Sequence, residues 1–135
     1  MDGPWANVDA LAPYTGFGRS AISVAGPGST LSPGGLPLNT GKSVWLTCSR
    51  TPLVKTGNPR FCSAGASLWE STGTSFGAAA TSGLAALLVS RMGHGRPDQI
   101  RATIEKSADD LGQPGTDPYY GKGRINVARA VGAMK

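Results

Sequence analysis

Along this chain the apolar residues gather in two short β-branched runs and one long helical stretch, separated by Gly- and Pro-rich segments. Ala21-Ile22-Ser23-Val24-Ala25, closed by Gly26-Pro27-Gly28, predicts a strand entering a tight turn. Ser43-Val44-Trp45-Leu46-Thr47-Cys48 predicts a second strand. Residues 1–20 carry loop signals at Gly3-Pro4, Pro13, Gly16 and Gly18. Residues 29–42 form a Gly/Pro/Ser/Thr connection, and 49–65 read as loop around Cys62.

The pattern changes after Gly73. Phe76 to Met92 contains no Pro, and small residues surround Leu84, Leu87, Leu88 and Val89. A helix that is apolar or small on almost every face predicts burial rather than a surface position. Gly93 and Gly95 end it. Pro97, with its fixed φ, predicts the first helical position of a further helix, with Asp98 in the first turn to complement the dipole. Ile100, Ile104 and Ala108 then give a second helix one apolar face. A Gly/Pro/Asp loop over 112–118 leads to Tyr119-Tyr120, and Asn126 predicts the N-cap of a short last helix through Ala133.

The length of 135 residues and mass of 13.8 kDa give room for one domain with a modest core. With 20 Gly and 10 Pro and only 16% charged residues, the composition excludes a coiled coil. Three Trp and the low charge density exclude a typical disordered chain. No run of about 20 apolar residues is present, so no membrane span is expected. Met1-Asp2-Gly3-Pro4-Trp5 lacks the basic start and apolar run of a signal peptide. The net charge of +5 rests on cations scattered through the second half, among them Arg91, Arg96, Arg101, Lys106, Lys122, Arg124 and Arg129. Without clustering or interleaved aromatics they predict a solvated basic face and no nucleic-acid partner.

The segment with most chemical content is Gly73-Thr74-Ser75-Phe76-Gly77-Ala78. A serine opening a helix sits beside free backbone N–H groups and the positive end of the dipole, which favour an oxyanion forming next to it. A serine here also fits as an ordinary N-cap. His94 is the only histidine. If it and Ser75 flank one helix they stand roughly 25–28 Å apart, too far to pair within one chain. Asp109, Asp110 and Asp117 invite an acid/base reading, but their setting predicts a helix end and solvated turns.

Gly73-Thr74-Ser75 running through Gly83 resembles the nucleophile segment of the subtilisin-like serine proteases, Gly-Thr-Ser-Met-Ala-(Ala/Ser)-Pro-His-Val-(Ala/Ser)-Gly. Two further stretches match in order. Tyr14-Thr15-Gly16-Phe17-Gly18 through Val24-Ala25-Gly26-Pro27-Gly28 is similar to the family's strand and Ala-Pro-Gly turn. Ser107-Ala108-Asp109-Asp110-Leu111-Gly112, with Tyr119-Tyr120-Gly121-Lys122-Gly123-Arg124-Ile125-Asn126-Val127, is similar to its C-terminal loop and last helix. The departures are Phe76 for Met, Gly77 for Ala, and Ala79-Ala80 for Pro-His.

The resemblance implies an α/β fold: the C-terminal half of the subtilisin-like three-layer architecture, with few strands packed on a buried central helix. Residues 1–135 would be a single partial catalytic domain, with 30–70 a variable Cys-containing insertion. It implies that Ser75 is the catalytic nucleophile and that Thr74 lines the oxyanion site. The triad's Asp and His, the oxyanion Asn and most of the specificity pocket lie upstream of these segments in the family. A peptide substrate is therefore expected for the whole enzyme, with little or no peptidase activity from the chain alone. A slow hydrolase acting on activated esters, and a non-catalytic fragment that self-associates or binds a missing N-terminal half, remain alternatives.

The family's export implies an extracellular setting and a Cys48–Cys62 disulfide. Neither metal nor cofactor is expected: two Cys and one His do not supply zinc ligands at the usual spacing, and the pair is not Cys-x-x-Cys.

Overall fold

Helix-forming Ala and Leu without proline carry the chain through a long uninterrupted helix after Gly73, and the fold is built around it. In a computed structural model, the structure describes residues 9–28, 44–47, 68–93 and 96–132. Its elements are β1 (Val44–Thr47), β2 (Leu68–Ser71), α1 (Thr74–Met92), α2 (Pro97–Ser107) and α3 (Val127–Gly132). Cys48, Cys62 and His94 lie outside the described residues.

α1 begins where Gly73 supplies a φ of 151° and a ψ of 150°, a region essentially reserved for glycine. It ends at Gly93, whose φ is 76°. α2 starts on Pro97 with Asp98 in its first turn, as its sequence predicts. α3 is capped by Asn126, whose Oδ1 accepts the Arg129 N–H at 2.9 Å.

The three helices enclose one core. Leu84 and Leu88 of α1 are 1% and 0% exposed and pack with Ile100 and Ile104 of α2, Ile125, and Ala130 of α3. Val24, Ala80, Ala85, Met92 and Val131 close around this cluster. α1 is thus the central helix, but its burial is one-sided. Leu87 and Val89 remain 50% and 39% exposed, because α2 and α3 cover only the face that carries Leu84 and Leu88.

The strand expected over Ala21–Ala25 is reduced to single-residue pairings. Val24 bridges Gly121 antiparallel and Ala25 bridges Arg124 in parallel. The facing segment contains Gly121 at φ 64° and Gly123 at φ 115°, so it cannot offer the extended backbone that a continuous ladder needs. The second expected strand forms as β1. It pairs antiparallel with β2, with Val44 opposite Ser71 and Thr47 opposite Leu68. β2 carries no clear sequence signal. Its four residues, Leu-Trp-Glu-Ser, are too few for alternation to declare itself.

Candidate active site

Ser75 lies in the first turn of α1, exposed to solvent. The N-cap is Gly73 rather than Ser75, so the serine hydroxyl is not spent on capping. The helix start has no side-chain cap and no acidic residue in its first turn, which leaves the positive end of the dipole beside Ser75 uncompensated from within. Ser75 Oγ leans back over Gly73: a Cβ added to that glycine would lie 3.3 Å from it. Thr74, also exposed, precedes it directly at the helix start.

The turn Gly26-Pro27-Gly28 lies against this first helical turn. The Gly73 N–H donates to the Gly28 carbonyl at 2.9 Å, and the Tyr14 hydroxyl donates to the same carbonyl at 3.4 Å. Further into the helix, Gly77 is buried against Gly26. These supporting positions fall inside the 14–28 and 73–83 segments that resemble the protease family, but their mutual contact links residues some 50 apart and has no local signature.

Among the described residues nothing supplies a general base to Ser75. α1 runs unbroken, and Met92, two positions before His94, stands about 26 Å along the axis from Ser75. The carboxylates of the C-terminal segment are engaged elsewhere.

Asp109, expected as a solvated turn residue, is instead the centre of an ion cluster. Its carboxylate accepts from Arg124 Nη2 at 3.0 Å and from Asn126 Nδ2 at 3.1 Å, and pairs with Arg129 Nη2 at 2.7 Å. Arg124 Nη1 reaches on to Asp9 at 2.5 Å. The hydrogen bond from Arg124, reinforced by that from Asn126, holds the Asp109 carboxyl below its ordinary value despite partial desolvation. Asp109 in turn pushes the Arg124 guanidinium up. The partners lie 15 to 20 residues further along the chain, which is why a local reading leaves this carboxylate in water.

Asp117 is the turn residue its context predicts, though a buried one at 3% exposure. It accepts the backbone N–H groups of Gln113, Tyr119 and Tyr120 at 3.0, 2.7 and 3.0 Å, and the first of these leads in lowering its pKa. Asp110 accepts the Gly115 N–H at 3.0 Å. All three carboxylates therefore organise loops. No group of three or more potential metal ligands occurs among the described residues, and no helix there is long and apolar enough to cross a membrane.

Residues 6–123 match the model of the subtilase family. The chain is 41% identical over 64 residues to an extracellular serine protease of Serratia marcescens, covering 47% of this chain and 6% of that protein. It is 32% identical over 128 residues to a calcium-dependent protease of Trichormus variabilis, covering 87% of this chain and 18% of that protein. In three dimensions it superposes on a lanthipeptide protease with a TM-score of 0.70 and 30% identity, over 94% of this chain and 38% of that one. The chain thus spans less than a fifth of the length of these two sequence relatives.

Proposed function

The chain belongs to the subtilase family, and on that premise we propose that it carries the nucleophile of a serine endopeptidase, Ser75, without the groups that activate it. The observation that supports this most is the state of Ser75 itself: an exposed hydroxyl in an uncapped first helical turn, within the matched residues. In the complete enzyme the Ser75 oxygen would attack the peptide carbonyl as a base takes its proton. The tetrahedral intermediate would form with its oxyanion near the N-terminus of α1, beside Thr74. The amine would then leave with the returned proton, and water would release the acyl group from Ser75 by the same route.

His94 is the only histidine and follows α1 in sequence, so on this reading it is not the partner of Ser75 within one chain and another polypeptide supplies the base. Alone, the chain has negligible peptidase activity. The name of the Serratia relative supports an extracellular site of action.

The test is reaction of the purified chain with a fluorophosphonate probe, read by intact mass, alongside Ser75→Ala and His94→Ala. The expected result is slow addition of one probe at Ser75, absent in Ser75→Ala and unchanged in His94→Ala, with no cleavage of a casein substrate. Addition equal in the wild type and Ser75→Ala would overturn the assignment. Loss of addition in His94→Ala would instead point to a base supplied between copies of the chain and to an esterase-like activity of its own.

A further inference from the structure

The backbones of Gly26 and Gly77 meet without side chains between them. A Cβ on Gly77 would stand 2.9 Å from the Gly26 carbonyl oxygen, and a Cβ on Gly26 would stand 2.6 Å from the Gly77 oxygen. The neighbouring rung is as close: a Cβ on Gly28 would lie 2.8 Å from the Gly73 oxygen. In each case the obstructing atom is main chain, which cannot rotate away as the tip of a side chain can. Between these two contacts run Thr74, Ser75 and Phe76. The Gly73–Gly28 hydrogen bond of 2.9 Å ties down the preceding residue.

We propose that Gly77 is a positioning residue for Ser75: its missing side chain lets the 26–28 turn seat directly on the first turn of α1, and that seat fixes where the Ser75 hydroxyl stands. The inference rests on the reading of Ser75 as nucleophile for its functional meaning, but the seat itself is a structural claim. It has an unusual corollary. The family pattern carries Ala at this place, and helix propensity favours Ala over Gly inside a helix. In this chain, restoring the family's Ala loosens the site.

Gly83 provides the control, because a Cβ there meets nothing within 4 Å. Both Gly→Ala changes gain the same propensity, and only one of them disturbs the seat. Hydrogen exchange of the Gly73 amide, followed by NMR relative to the core amides of Leu84 and Leu88, reads the Gly73–Gly28 bond directly. The expected result is a protected Gly73 amide in the wild type and in Gly83→Ala. In Gly77→Ala its exchange should be faster by about tenfold beyond any change in the core amides. Exchange of Gly73 that merely follows the core in Gly77→Ala would overturn the proposal. So would an unprotected Gly73 amide in the wild type, a result that does not depend on whether the variant folds.

Fluorophosphonate addition on the same three proteins separates this inference from the one beneath it. The seat predicts slower labelling of Ser75 in Gly77→Ala than in Gly83→Ala at equal folded fraction. Equal labelling rates would overturn the positioning role. A wild type that does not label removes the nucleophile assignment, while the amide measurement still decides the seat.

Discussion

Asp109 and Arg124 are joined through both backbone and side chain: their main chains exchange two hydrogen bonds, at 2.8 and 2.9 Å, and their side chains form an ion pair at 3.0 Å. The backbone pair is an isolated antiparallel bridge made by main-chain atoms alone. The side-chain cluster is not. Asp109→Ala leaves Arg124 and Arg129 facing each other without their shared carboxylate, and thermal unfolding should move to clearly lower temperature. The exposed pair Arg96–Asp98, with side chains 73% and 64% accessible, is the comparison. Asp98→Ala should shift the midpoint little, since such pairs contribute almost nothing. Equal midpoints for the two variants would show that the cluster adds no stability.

The same cluster sets an acid limb. The Asp109 and Asp117 carboxyls are both lowered by hydrogen bonds in the folded chain, so each contributes stability in full above the ordinary carboxylate value of 3.8. That contribution is lost as the pH falls from there through the lower folded values. Stability should therefore vary little on account of these groups from pH 5 to pH 8 and fall steeply below about pH 4. Asp109→Asn should flatten part of the fall, as measured by denaturant midpoints across the acid range. An unchanged slope in that variant would remove Asp109 as a source of it.

The helices were largely legible in the sequence because their signals are local. Pro97 and Asp98 mark the start of α2, Asn126 caps α3, and Gly93 closes α1. What escaped depends on distant partners. β2 exists through its pairing with β1, and Asp109 finds its cations 15 and 20 residues later. The position of Ser75 was legible as a helix start, but its cap was not: a glycine at φ 151° takes the place that capping preferences give to serine. The Ala21–Ala25 run failed as a strand because the glycines opposite it, rather than its own residues, decide the pairing.

Cys48 and Cys62, for which the family's export implies a disulfide, allow a simple check. Intact mass after maleimide treatment should show no addition before reduction and two after it. By the chain-entropy model such a bridge would stabilise by about 3 kcal/mol, and reductant would then lower the unfolding midpoint. Two additions without reduction would rule the bridge out.

The half-exposed Leu87 and the exposed Val89 leave part of the apolar surface of α1 in water. Light scattering should therefore report a mass above 13.8 kDa as concentration rises, and Leu87→Glu should restore the monomer. A wild type that stays monomeric throughout would count against self-association and leave that face to the remainder of a longer polypeptide.

The pairing of Thr47 with Leu68 places both ends of segment 48–67 side by side on one ladder. The two ends of whatever joins Thr47 to Leu68 are thus held at one rung, whatever the length of the connection. Doubling such a loop costs only about 0.6 kcal/mol in closure entropy. An insertion between Thr47 and Leu68, such as an affinity tag, is therefore expected to leave the first turn of α1 and Ser75 in place.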